Sequence, residues 1–127
     1  MGAKYIKFFE QEHYFLMIYE TKSNLTDYVT SKIEDFNSSL SDSTRLNVSN
    51  LVLDDEYAMI FVSSFEDQNN AYEYFIKLMA LDPVEENKQN SKFFKFVITK
   101  DNFNIFYQSK DIEAYQRFFD KNYRNES

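Results

Sequence analysis

The sequence predicts an α+β fold, because a strand followed by a helix occurs twice along the chain. The first unit joins a strand at His13–Tyr19 to a helix over 24–40, and the second joins a strand at Tyr57–Val62 to a helix over 67–79. Apolar residues follow one another directly in the strands but recur at steps of three and four in the helices, which distinguishes the two kinds of element.

In the first unit, the strand carries apolar side chains at successive positions, which is typical of a central strand with both faces covered. Asn24 is expected to cap the helix, since its side-chain oxygen can accept a hydrogen bond from a free backbone N–H of the first turn. The helix then carries one apolar stripe. This stripe is formed by Leu25, Val29, Ile33, Phe36 and Leu40.

In the second unit, Ser63–Glu66 is predicted to turn the chain from the strand into the helix. Asp67 follows directly and has a side chain suited to cap that helix. The apolar positions of the helix again lie at helical spacing. They are Ala71, Phe75, Leu78 and Met79.

Two more strands complete the pattern. Leu46–Leu53 follows a loop at Ser41–Thr44 and contains several polar residues, which suits the edge of a sheet. Asp54–Glu56 would turn this strand into the one at 57–62, and Phe93–Thr99 is the fourth strand. With right-handed crossovers, the βαββαβ order predicts a ferredoxin-like antiparallel sandwich with spatial strand order 4-1-3-2 and both helices on one face.

The C-terminal part of the chain adds a helical segment to this sandwich. A third helix is predicted over Asp111–Tyr123, with Ser109 as its cap. Because two helices leave the other face of the sheet exposed, we expect 101–123 to dock on that face and to join the core. The side chains that would do so are Phe103, Phe106, Tyr115, Phe118 and Phe119.

The chain of 127 residues is long enough for one domain with a sizeable core. We expect a lead-in over 1–12, a single α+β domain over 13–123 and a tail over 124–127. The opening Met1-Gly2-Ala3 is expected to come partly from cloning.

Composition excludes several classes of function. The formal charge of −7 opposes binding to nucleic acid and to anionic membrane surfaces, so neither is an expected partner. No apolar run is long enough to insert into a membrane. Cys is absent, which excludes disulfides, thiol nucleophiles and thiolate metal sites.

Few residues could carry catalysis or bind a metal. With Gly2 as the only glycine, glycine-rich phosphate loops and nucleophile elbows are excluded. His13, the only histidine, is expected to be a partly exposed structural residue. The acidic groups at 54–56 and 82–86 lack the spacing of a calcium loop and are expected to be solvated turns. We therefore predict no enzymatic activity, no cofactor and no catalytic, cofactor-binding or metal-binding residues, and the partner-binding residues remain unknown from sequence.

The second strand–helix unit resembles the second half of a SPOR (sporulation-related repeat) domain. The resemblance rests on the segment 58–65, AMIFVSSF, followed by Asp67 as an acidic cap and by Ala71. SPOR domains are ferredoxin-like modules that bind peptidoglycan glycans on the open face of their sheet. The resemblance therefore implies a glycan-binding face, although Met59 and Phe61 would place apolar side chains there.

Over about 13–123, the chain is similar to the C-terminal domain of tetratricopeptide-repeat outer-membrane lipoproteins of Bacteroidetes. That family includes components of the type IX secretion and gliding-motility apparatus. The resemblance implies a periplasmic, non-enzymatic module attached to a repeat scaffold. It is carried by LNV at 46–48, LDDEY at 53–57, VSSF at 62–65, FVI at 96–98, DNFNIFY at 101–107, KDIEAYQRFF at 110–119 and NY at 122–123.

These resemblances lead to two hypotheses of function. The first is a periplasmic interaction module of a cell-envelope assembly, which binds a protein partner and is tethered to the outer membrane through an N-terminal part outside this sequence. The alternative is a SPOR-like module that binds peptidoglycan. An enzyme that uses carboxylates and tyrosines alone has no positive support in the sequence.

Overall fold

The computed structural model of the protein describes residues 4–7, 10–40 and 46–124. Two short 3₁₀ turns, Thr21–Ser23 and Glu86–Lys88, lie between the main elements. The main elements are β1 (His13–Glu20), α1 (Thr26–Ser38), β2 (Asn47–Val52), β3 (Tyr57–Phe65), α2 (Gln68–Leu81), β4 (Phe93–Thr99), α3 (Lys100–Ser109) and α4 (Ile112–Asn122).

The four strands form one antiparallel sheet in the order β2-β3-β1-β4. This confirms the predicted ferredoxin-like sandwich and its spatial order 4-1-3-2. The central position of β1 is also confirmed, since its residues Phe15, Leu16, Met17 and Ile18 are all 0% exposed. Successive buried residues in a strand require protein on both faces of the sheet.

Helices α1 and α2 cover one face, as predicted. The Tyr74 ring of α2 lies 5.4 Å from Phe15 of β1 and 5.4 Å from Phe36 of α1, measured between ring centroids. On the same face, the Tyr19 hydroxyl donates a hydrogen bond to Oγ1 of Thr26 at 2.9 Å. Rings from both helices therefore pack with β1 in one layer of the core.

The C-terminal segment docks on the other side of the sheet and belongs to the core, as predicted. Phe106, Tyr115 and Phe119 are all 0% exposed. Phe96 of β4 contacts the first two, with ring centroids 5.6 Å and 4.7 Å away. Phe118 is only half-buried, so it contributes less to the core than its helical position suggested.

This segment consists of two helices, where the sequence predicted one. The Thr99 side chain caps α3 by accepting a hydrogen bond from the Asn102 N–H, so the helix starts at the end of β4. Lys110, at φ 56°, then ends α3. Asp111 caps α4 through the Ala114 N–H, and the prediction of Ser109 as its cap is wrong.

Two other predicted boundaries are wrong for local reasons. The segment at 63–66 was expected to be a turn, but β3 continues to Phe65, which is buried and pairs with His13. Asn24 does not cap α1, because it has left-handed backbone (φ 57°) at the end of a 3₁₀ turn. Asp67 caps α2 as predicted, and the predicted loop at Ser41–Thr44 lies outside the described residues.

Residues before β1 also contact the helices of the second face. Asn102 of α3 is fully buried and holds the backbone of Ile6 from two sides. The Ile6 N–H donates to Oδ1 at 2.9 Å, and Nδ2 donates to the Ile6 carbonyl at 2.7 Å. The neighbouring Tyr5 ring packs edge-on against Tyr115, with centroids 4.8 Å apart.

Candidate interaction surface

The outer margin of β4 is covered by α4. In an antiparallel ladder, alternate residues turn their backbone groups toward the neighbouring strand and the others turn them away. The Lys100 N–H donates a hydrogen bond to the Glu12 carbonyl, so these two residues form a hydrogen-bonded pair of the β1–β4 ladder. Three residues further along, Phe15 and Val97 form a pair of the other kind, and Val97 turns its N–H and C=O groups away from β1. The outward Val97 carbonyl accepts a hydrogen bond from the Tyr115 hydroxyl at 2.8 Å. Helix α4 thus occupies this margin and satisfies the Val97 carbonyl.

The outer margin of β2 is bare by comparison. The Leu53 N–H bonds the Tyr57 carbonyl, so the odd-numbered residues of β2 turn their backbone groups toward β3. Val48, Asn50 and Val52 therefore turn theirs away from the sheet. No other strand of the described ranges lies beyond β2. Of these outward groups, the Val52 carbonyl accepts a hydrogen bond from the Tyr107 hydroxyl at 3.3 Å.

The side chains of β2 give this margin little protection. Edge strands are commonly guarded by lysine, proline or a bulge, which discourage pairing with another chain. The sequence of β2, NVSNLV, contains no charged residue and no proline. Two of its apolar side chains are exposed, Leu51 at 38% and Val52 at 64%. The predicted edge position is confirmed, and the strand presents an uncharged edge to its surroundings.

A groove of about 400 Å³ lies between α1 and the start of β2. Its lining includes the Glu34 carboxylate and the side chain of Asn37, which is only 6% exposed. Oδ1 of Asn37 accepts a hydrogen bond from the Tyr74 hydroxyl at 2.5 Å. Its Nδ2 is buried and has no hydrogen-bond partner among the described residues. The groove is therefore lined by one acidic residue, and the unpartnered amide donor lies buried in its wall.

Acidic residues also lie at the other end of β2, in the turn that leads to β3. Asp54 shapes this turn, since its Oδ1 accepts hydrogen bonds from the backbone N–H groups of Glu56 at 2.8 Å and Tyr57 at 2.9 Å. Asp55 and Glu56 are exposed. The carboxylates predicted to form a hairpin turn do form it, and they place negative charge at one end of the bare margin, where the Lys110 ammonium also lies, 4.0 Å from the centroid of the Tyr107 ring.

A second cavity, of about 330 Å³, lies between the end of α2 and the sheet, with Met17 and Val84 in its lining. Its charged groups already have partners within the protein. Lys95 pairs with Glu86, and the Asp82 carboxylate accepts a hydrogen bond from the Glu86 N–H at 3.1 Å. The exposed Glu85 pairs with Lys88, which lowers the pKa of its carboxyl. The charges at 82–86 thus bond within their own loop and with Lys95 of β4.

His13 is fully buried, so the prediction that it is partly exposed is wrong. Its Nδ1 lies 2.7 Å from the Gln11 carbonyl oxygen, and its Nε2 lies 2.8 Å from the Tyr123 hydroxyl. Because a carbonyl can only accept, Nδ1 carries the proton and Nε2 accepts from Tyr123. Burial lowers the pKa of His13 and raises the pKa of the Tyr123 hydroxyl. The histidine therefore joins β1 to the end of α4 as a neutral structural group.

Within the described ranges, no three side chains of the metal-binding types lie together, and no helix is both long and apolar enough to cross a bilayer. Comparisons with family models, with curated proteins and with solved structures found no match to this chain. The bare margin of β2 and the groove beside it are therefore defined by their geometry alone.

Proposed function

We propose that this domain is a non-enzymatic interaction module of a cell-envelope assembly and that it binds a protein partner. The observation that carries the proposal is the bare margin of β2, where Leu51 and Val52 are exposed and Val48 and Asn50 turn their backbone groups outward with no further strand among the described residues. Uncharged edges of this kind are costly to keep exposed in a soluble protein unless another chain uses them.

The cellular setting of the proposal rests on the resemblance of 13–123 to the C-terminal domains of tetratricopeptide-repeat lipoproteins. On that basis, the module acts in the periplasm, as part of secretion or gliding machinery, and is tethered to the outer membrane through a preceding part of a longer chain. The negative formal charge of −7 agrees with a protein partner and disfavours nucleic acid.

The test is site-specific photo-crosslinking in intact cells of the native host. A photoreactive amino acid is placed singly at exposed positions on three sides of the domain, Val52, Leu81 and Asn104. A discrete adduct with an envelope protein from at least one position is the expected result. The proposal is overturned if every position yields no protein adduct while the domain is folded and correctly located.

The alternative, a SPOR-like module for peptidoglycan, needs an accessible sheet face. Helices α3 and α4 cover part of that face, but the half-buried rings of Tyr57 and Phe94 remain at its border, with centroids 6.0 Å apart. Aromatic rings of this kind can stack on sugars. Co-sedimentation with amidase-treated sacculi that is lost in Tyr57→Ala would support the alternative, and no co-sedimentation would exclude it.

A further inference from the structure

We propose that the outer edge of β2 takes up an extended, basic segment of the partner protein as a fifth strand. This inference rests on the proposed function and names the surface and the partner chemistry. It concerns the backbone of Val48 and Asn50 and the side chain of Glu34 beside them.

The backbone of β2 is arranged for such pairing. Val48 and Asn50 turn their N–H and C=O groups outward, and these two residues are spaced as a neighbouring strand requires. Thr30 of α1 donates a hydrogen bond to Oδ1 of Asn50 at 2.8 Å, which holds that side chain on the α1 face and away from the edge. An added strand would therefore meet ready donors and acceptors, as in other complexes formed by strand addition.

Charge determines which segment fits. Glu34 lies on one side of the edge and the turn with Asp55 and Glu56 lies at its end, while β2 itself has no lysine or arginine. A segment with lysine or arginine at alternate positions would place its cations near these carboxylates. A second copy of this chain, with a formal charge of −7, would instead be repelled.

The groove beside β2 fits the same occupant. A residue of the added strand opposite Val48 would turn its side chain toward α1, where Glu34 can pair with a cation.

The experiment measures binding of a blocked synthetic peptide that alternates lysine and valine. A matched peptide has glutamate in place of lysine. Another lysine peptide carries N-methyl groups on the backbone amides that face one side of the extended chain, so that these amides cannot donate hydrogen bonds. Binding is followed by fluorescence anisotropy at several salt concentrations. Amide hydrogen exchange of Val48 and Asn50 is compared with that of Val97 in the covered β4. We expect slower exchange at the two β2 amides only, with the lysine peptide only.

Two variants of Asn50 test the edge, and circular dichroism checks that both remain folded. Asn50→Pro removes an outward N–H at an edge position where proline is tolerated, and Asn50→Lys adds a guarding cation. Asn104→Lys, on the exposed side of α3, is the control for charge. Both Asn50 variants should bind the lysine peptide at least about tenfold more weakly, with unchanged circular dichroism, while the control loses about twofold or less.

Three outcomes would overturn the inference: equal binding by the Asn50 variants, equal binding of the N-methylated peptide, or no binding by a folded domain. Concentration-dependent dimerisation that is abolished by Asn50→Lys would instead assign the edge to a second copy. If peptide binding fails but crosslinking from Leu81 or Asn104 finds an envelope protein, the strand-addition inference falls and the proposed function stands.

Discussion

The two outer margins of the sheet differ in how far the rest of the chain covers them. At β4, α4 packs along the strand and the buried Tyr115 hydroxyl bonds the outward Val97 carbonyl. At β2, the backbone of Val48 and Asn50 faces outward with no strand of the described chain beyond it. The comparison teaches that the domain closes one edge with its own C-terminal segment and has no further strand of the described chain at the other edge.

The largest expected difference between the margins is in side-chain packing. Phe119 of α4 is 0% exposed and lies between Phe75 and Phe96, at centroid distances of 5.0 Å and 6.3 Å. Phe119→Ala should lower the free energy of unfolding by about 3–5 kcal/mol, because it leaves a cavity in a packed site. Val52→Ala, at the bare margin, should change it by no more than about 0.5 kcal/mol. Urea denaturation measures both.

The half-buried Phe118 serves as a matched control for the first variant. Phe118→Ala removes the same ring from the same helix, and its cost should be clearly smaller than that of Phe119→Ala. Equal costs for the two phenylalanine variants, or a large cost for Val52→Ala, would mean that the margins are not packed as described.

A smaller effect is expected from two tyrosine hydroxyls that each bond an outward backbone carbonyl. Tyr115→Phe leaves the Val97 carbonyl buried without that donor and should cost about 1–3 kcal/mol. Tyr107→Phe acts on the Val52 carbonyl, where water can replace the hydroxyl, and should cost no more than about 0.5 kcal/mol. Thermal unfolding of the two variants in parallel measures the difference, and similar losses would contradict the comparison.

The smallest effect concerns pH and the junction of β1 with α4. Burial lowers the pKa of folded His13 below the 6.5 of the exposed group, so the unfolded chain binds the proton more readily. The contribution of neutral, buried His13 to the free energy of unfolding is complete above about pH 6.5, and it is lost as the pH falls from there toward the lowered pKa. Denaturation at pH 7.5 and pH 5.5 should show the loss for the native chain.

His13→Gln is the control for the pH dependence, since glutamine can donate and accept hydrogen bonds but does not titrate in this range. The variant should be less stable at both pH values and should show a flatter dependence on pH. A dependence as steep as that of the native chain would assign the effect to other groups.

The sequence was sufficient to predict the sandwich because its signals are local. The successive apolar residues of β1 and the stripes in α1 and α2 define each element within a few residues, and right-handed crossovers then determine the strand order. The C-terminal division was harder to predict, since Lys110 ends α3 through a left-handed backbone that lysine rarely adopts. The residue types at 109–111 indicated the start of the last helix, but those at 100–109 did not indicate that a separate helix precedes it.

The features of the candidate surface depend on contacts between distant parts of the chain. The composition of β2 indicated an edge strand, but the difference between the two edges arises only when Tyr115 reaches Val97. Likewise, the burial of His13 depends on Tyr123, and no periodicity links residues that far apart. Pattern analysis finds elements, whereas the closure of one edge is a property of tertiary packing.

The bond between His13 and Tyr123 also bears on how the chain folds as it is made. These residues are 110 positions apart, so the histidine leaves the ribosome long before its partner. At about 5–20 residues per second, the first strand waits roughly 5–20 s for the helix that buries its histidine and covers the neighbouring edge. During synthesis both margins of the sheet are therefore open, and a nascent chain is more exposed to chaperones and to misassembly than the finished domain.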